Sequence, residues 1–120
     1  MGYRMHVCKT YKIEYGRGLF NCQQGVVDRL LERYATTDEM WSSEDNTTYE
    51  LSKEMFEDFI NNLQKNKEEV KEILQKEFCK LQYMYKNVDI EEVYKEYIEG
   101  FTEILQEADK NLDYIRLDWF

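Results

Sequence analysis

Glu92, Glu96, Glu99, Glu103 and Glu107 recur at steps of four, three, four and four residues. On an α-helix turning about 100° per residue, that spacing keeps the five carboxylates within roughly 80° of one another. With a rise of about 1.5 Å per residue they make one acidic rail about 22 Å long. The rail is expected opposite the apolar stripe of Ile90, Val93, Tyr94, Tyr97, Ile98, Phe101, Ile104, Leu105 and Ala108. The chemistry it offers is recognition of cations. Carboxylates about 5–6 Å apart approximate a row of backbone phosphates well enough to compete for arginine and lysine side chains. Like charges at i,i+4 cost a helix a few tenths of a kcal/mol per pair, so alternating signs would serve solubility better. A second acidic patch, Asp38, Glu39, Glu44 and Asp45, falls in the polar stretch 35–46.

Bond-making chemistry finds little support. His6 is the single histidine, and Cys8, two residues along the same strand face, lies roughly 7 Å from it. A Cys-His nucleophile pair would therefore need Cys22 or Cys79. His6 and Cys8 would supply two ligands to a metal, whereas a closed zinc site takes four. Gly16-Arg17-Gly18 follows a strand and precedes a helix, as a phosphate-binding turn does, but it is too short to be read as more than a turn. Carboxylates abound, yet a Mg²⁺-dependent nuclease would pair them with a basic substrate surface that the acidic half lacks. The expectation is a non-enzymatic protein with no catalytic residue, metal or cofactor.

The distribution of charge sharpens this reading. The formal charge of the 120 residues is −9, yet residues 1–34 carry +3 and residues 35–120 carry −12. Residues 35–58 and 89–120 each carry −7, while the intervening 59–88 carry +2. In that middle block Lys65–Glu69, Glu72–Lys76 and Glu77–Lys80 alternate in sign, so the rail is not a compositional average. An acidic surface repels nucleic acid and anionic membranes and attracts basic protein surfaces. No apolar run approaches membrane-spanning length, and no secretory leader is read at the start. Three cysteines without CxxC spacing read as reduced thiols of a cytoplasmic protein.

The elements that must position these residues follow from periodicity. Residues 3–15 alternate, with Tyr3, Met5, Val7, Tyr11, Ile13 and Tyr15 on one face, and predict a half-buried strand. Asn21 is placed to cap a helix reaching Tyr34, and residues 35–46 read as a loop around Met40 and Trp41. Residues 47–51 predict a short strand. Ser52 caps a second helix with Met55, Phe56, Phe59, Ile60 and Leu63 inward. Asn61, Asn62 and Asn66 suggest a break before a third helix over 67–86, and Asp89 caps the fourth. Residues 112–120 predict a terminal strand beside 3–15 or 47–51. The fold class is α+β: one domain over 1–120, with a small antiparallel or mixed sheet packed against about four helices. At 15% aromatic residues the chain has material for a real core.

The run Tyr3-Arg4-Met5-His6-Val7-Cys8-Lys9-Thr10-Tyr11-Lys12-Ile13-Glu14-Tyr15, with the Tyr- and Lys-rich usage, small size and acidic helices, resembles short accessory proteins of bacteriophages and prophages. That group includes inhibitors of host-defence nucleases, among them anti-CRISPR proteins, several of which are acidic DNA mimics. The resemblance implies a phage-type inhibitor in the cytoplasm of a bacterial host. Its partner would be a basic protein such as a Cas nuclease or another nucleic-acid-binding protein, with no direct contact to nucleic acid or membrane. The rail would be the contact, and the patch at Asp38, Glu39, Glu44 and Asp45 a supplement. Exposed aromatics such as Trp41, Tyr49 or Trp119 would provide the hot spots that charge alone does not. Two alternatives stand beside it. One is an assembly module that self-associates, as a homodimer or larger, through the terminal strand and its Trp119-Phe120 end. The other is a nucleotide-sequestering protein using Arg4, Lys12 and Arg17.

Overall fold

The computed structural model describes residues 4–8, 20, 23–35, 41–44, 47–80, 89–108 and 110–119. Strands β1 (Met5–Cys8), β2 (Trp41–Ser42), β3 (Thr48–Ser52) and β4 (Tyr114–Trp119) form one sheet. Helices are α1 (Gln24–Tyr34), α2 (Lys53–Lys65), α3 (Lys67–Cys79) and α4 (Ile90–Glu107). The sheet order is β1-β4-β3-β2 with every neighbour antiparallel. The α+β class expected from the sequence is the one found.

Strand alternation builds the sheet's inner face. Tyr49 and Leu51 on β3 sit opposite Leu117 and Ile115 on β4, and Met5 on β1 sits opposite Trp119. All six are buried, while Thr48, Glu50, Ser52, Tyr114 and Arg116 lie on the other face, where Arg116 bridges Glu50 at 3.1 Å. The terminal strand lies beside both the first strand and the third. It is thus an interior strand, paired with β3 over Tyr114–Asp118 and with β1 over Arg116–Trp119. β2, two residues long at the end of the sheet, lies within the stretch expected to be all loop.

Helix starts follow the cap residues. Ser52 Oγ accepts from the Met55 N–H at 3.1 Å, and Asp89 Oδ1 from the Glu91 N–H at 3.0 Å. The second helix does not break at Asn61 or Asn62 but runs on to Lys65. The Asn62 amide instead donates to the Tyr34 carbonyl at 3.0 Å and fastens α2 to the end of α1. Helix α3 is described to Cys79; the portion expected beyond residue 80, like most of the strand expected over 9–15 and the Asn21 cap, lies outside the described residues. α2 lies against β3 and β4, α4 packs on α2 and α3, and α1 packs on α3 and α2. The core is aromatic at its centre: Phe56, Phe59 and Phe101 are all fully buried.

One polar joint ties α1 to the sheet. The Tyr49 hydroxyl donates to Asp28 Oδ1. Burial pushes the Asp28 carboxyl up from 3.8 to about 6, with the Glu32 charge one turn on adding to the rise. The Tyr49 hydrogen bond works the other way, because it favours the charged form. A carboxyl that holds its proton more tightly when folded stabilises the fold at low pH. That contribution is complete below 3.8 and is lost as pH rises through about 6. Asp28→Asn keeps the acceptor for Tyr49 and removes the charge. It is expected to raise stability at pH 7 by about 1 kcal/mol, the half-exposed setting screening part of the full linkage value. The gain over wild type should disappear by pH 4, as read from urea unfolding at both pH values.

Candidate partner-binding face

Helix α4 is held firmly enough to present a fixed surface. Val93, Tyr94, Tyr97, Gly100, Phe101 and Ile104 are its buried residues. Full burial of such apolar side chains is worth about 1.5–3 kcal/mol each. The Tyr94 hydroxyl donates to the Leu63 carbonyl at 3.4 Å, and Tyr97 donates to Gln23 Oε1 at the entry to α1. At its N-terminal end Glu91 takes two lysines of α3, Lys67 and Lys71, each at 2.7 Å. The Lys67 ammonium also stands 5.3 Å from the centre of the Tyr94 ring.

Hydrogen bonds from Lys67 and Lys71 pull the Glu91 carboxyl down from 4.5 to about 2. A depressed carboxyl stabilises the fold above its unfolded value, and the contribution fades as pH falls from 4.5 towards 2. Glu91→Gln should therefore melt below wild type at pH 7. The two melting temperatures should converge near pH 2, which differential scanning fluorimetry would show.

Along the rail, Glu92, Glu96, Glu99 and Glu107 are exposed and Glu103 is half-buried. Their arc is not directly opposite the buried stripe. At about 100° per residue its centre lies roughly 120° from the centre of the buried side chains. Exposed Lys95 and Gln106 occupy the opposite position, and the rail runs down one flank. The displacement arises because the core reaches round to Gly100, which is buried and borders the rail.

Ion pairing takes up some of the acids outside the rail, while Glu32, Glu54, Glu57, Asp58 and Glu72 stay exposed without an ion pair among the described residues. Glu50 is taken by Arg116, Glu69 by Arg33 at 3.0 Å, Glu77 by Arg29 at 3.5 Å, and Glu91 by two lysines. Among the described residues, Glu92, Glu96, Glu99 and Glu107 have no ion-pair partner. The acids of α3 are thus partly consumed in holding helices together, while those of the rail face outward. From the secondary patch, Glu44 is exposed in the turn after β2; Asp38, Glu39 and Asp45 lie outside the described residues.

The aromatics expected near the acids are distributed differently. Trp41 is 54% exposed on β2, but Tyr49 and Trp119 are 3% and 4% exposed and belong to the sheet's core face. The aromatic that borders the rail is Phe20. Its ring stacks on Tyr97 at 4.6 Å and touches the flank of α4 at Gly100, where an added Cβ would stand 3.0 Å from Phe20 Cζ. The one available signal was a glycine inside a helical apolar stripe, which marks a close approach without naming what approaches. Residues 20 and 100 are too far apart in sequence for periodicity to link them.

Two charged grooves lie among the described residues. One of about 550 Å³ runs between α4 and the α2–α3 corner, lined by Gln64, Lys67, Glu91, Tyr94, Ile98 and Glu99 among others. Another, of about 360 Å³, lies between α1 and α3, where Arg29 and Arg33 are already engaged by Glu77 and Glu69. Both walls mix signs, so neither selects an anionic ligand. Of the basic residues expected to hold a nucleotide, Lys12 and Arg17 lie outside the described residues. Among the described residues no three His, Cys, Asp or Glu side chains are grouped to hold a metal ion. Cys79 is an exposed free thiol, and no described helix is long and apolar enough to cross a membrane. Comparison with protein-family models, with curated proteins and with solved structures found no match.

Proposed function

We propose that the protein is a non-enzymatic inhibitor that binds a basic nucleic-acid-handling protein through the acidic flank of α4. The observation that carries the reading is the set of exposed glutamates Glu92, Glu96, Glu99 and Glu107, without an ion-pair partner among the described residues, on a helix packed into the core. Spaced like phosphates and fixed in place, they would occupy a cationic channel with little ordering cost on binding. By the resemblance to phage accessory proteins, a CRISPR Cas effector in a bacterial cytoplasm is the first target to assay. Charge steering makes such an interface fast to form and sensitive to salt.

The test is inhibition of target-DNA binding by purified Cas effectors, at low and at high salt. The reading expects at least one effector to lose DNA binding at low salt and to regain it at high salt. If all effectors tested bind DNA as well with the protein as without it, the proposal fails.

A further inference from the structure

Asn66 divides the described chain into two halves, neither of which completes the core alone. Without the second half, β1 and β3 have no strand between them. β4 is that half's one described strand, and it pairs with both. Across the same division α1 packs on α3, and α2 on α4. Polar ties cross it too. Glu69 accepts from Arg33 at 3.0 Å and from the Tyr34 hydroxyl at 2.7 Å, and Tyr94 donates to the Leu63 carbonyl at 3.4 Å.

The joint between the halves is one residue long, since α2 ends at Lys65 and α3 begins at Lys67. The Asn66 N–H donates to the Asn62 carbonyl at 3.1 Å, and the Asn66 carbonyl accepts from the Val70 N–H at 2.9 Å. Helical bonding therefore reaches the bend from both sides. The Asn66 backbone itself, at φ −113° and ψ 37°, departs from helix. Its exposed side chain does not cap α3 but donates back to the Asn62 carbonyl at 2.9 Å. From Lys53 to Cys79 the sequence holds no Gly or Pro and is rich in Glu and Lys, which favour helix.

We infer that Asn66 is a hinge on which α2 and α3 straighten into one helix about 40 Å long, letting two copies of this chain exchange their second halves. Each β4 then lies between β1 and β3 of the other copy, and the core contacts and polar ties re-form between chains. Because those contacts are the same in both forms, the balance is set by the hinge and by concentration. A hinge of one residue leaves little slack for folding back, and short hinges favour exchange. A closed chain holds its own second half at a high effective concentration, so exchange belongs to concentrated protein.

The test anneals wild type, Asn66→Ala and Asn66→Gly at high protein concentration in moderate urea, removes the urea, and measures size by sedimentation velocity after dilution. An exchanged dimer persists on dilution, because separation requires β4 to leave the sheet. Alanine lacks the back-bond to Asn62 and suits a helix interior, whereas glycine disfavours one by about fivefold per hinge. With two hinges per dimer, the association constant set during annealing should be about 25-fold higher for Asn66→Ala than for Asn66→Gly, with wild type between them. Hydrogen exchange should show the Lys67 amide better protected in the dimer, where the straight helix offers it the Leu63 carbonyl. Circular dichroism verifies that all three proteins are folded. The hinge is overturned if Asn66→Ala gives no dimer, or no more than Asn66→Gly does. It is equally overturned by a dimer that falls apart at once on dilution, or by one whose Lys67 amide exchanges as fast as the monomer's.

Discussion

Replacing Glu96, Glu99 and Glu107 together by lysine is expected to abolish binding to a basic target while the free protein melts at an unchanged temperature. Each reversal moves the charge by two units, so the variant goes from −9 to −3 and puts three cations where the target's cations must sit. Like charges placed against each other at an interface cost several kcal/mol, so affinity should fall by at least about 100-fold. The fold should tolerate this. All three side chains are exposed, and among the described residues none has an ion-pair partner to lose. In Glu99→Lys the new ammonium would gain an attractive i,i+4 neighbour in Glu103, and a cation near the C-terminal end suits the helix dipole better than Glu107 does. Glu92 is left in place because it sits in the first turn, where a negative charge supports the helix. The measurement is a competition titration against DNA at low salt, alongside a melting curve. If the triple variant competes as well as wild type, phosphate mimicry by the rail is wrong.

Phe101→Ala should have the largest effect on stability, a loss of about 4 kcal/mol. The Phe101 side chain is 0% exposed, and four other rings surround it: Phe20, Phe56, Phe59 and Tyr97, with centroids 5.0–5.9 Å away. Truncation removes its buried surface, leaves a cavity between α2 and α4, and deletes the edge-to-face contacts with Phe56 and Phe59. Against a total of about 5–15 kcal/mol for a domain of this size, that is a third or more of the stability. In urea the unfolding midpoint should drop with little change in slope, because the surface exposed on unfolding is nearly the same. A shift corresponding to less than about 1 kcal/mol would mean that the aromatic centre does not hold α4 in place. The rail depends on this ring, since a helix with a loosened core face cannot hold its outward charges in register.

Much of this architecture is a matter of local rules acting within one turn or one strand. Ser52 and Asp89 cap their helices because a side-chain oxygen reaches an orphan N–H two or three residues on, and no distant residue is needed. Alternation put Ile115 and Leu117 on one face of their strand, and the 3.6-residue repeat put Phe101 inward and Glu96 outward. The side-chain amide of Asn62 escapes those rules, because whether it breaks a helix or bonds the Tyr34 carbonyl depends on where α1 ends in space. Trp119 likewise reads as an exposed terminus in the sequence and becomes core once β4 is inserted between β1 and β3.

For the candidate face, the residues on the rail and their common side of one helix were determined by the sequence alone, through spacing and rise. Only the tertiary structure decided that the rail runs down a flank, that Glu91 is taken by Lys67 and Lys71 while Glu96 and Glu99 are not, and that Phe20 lies beside Gly100. The reason is physical. Periodicity fixes directions within an element, whereas pairing and burial depend on which elements meet, and that is set by the packing of the whole core.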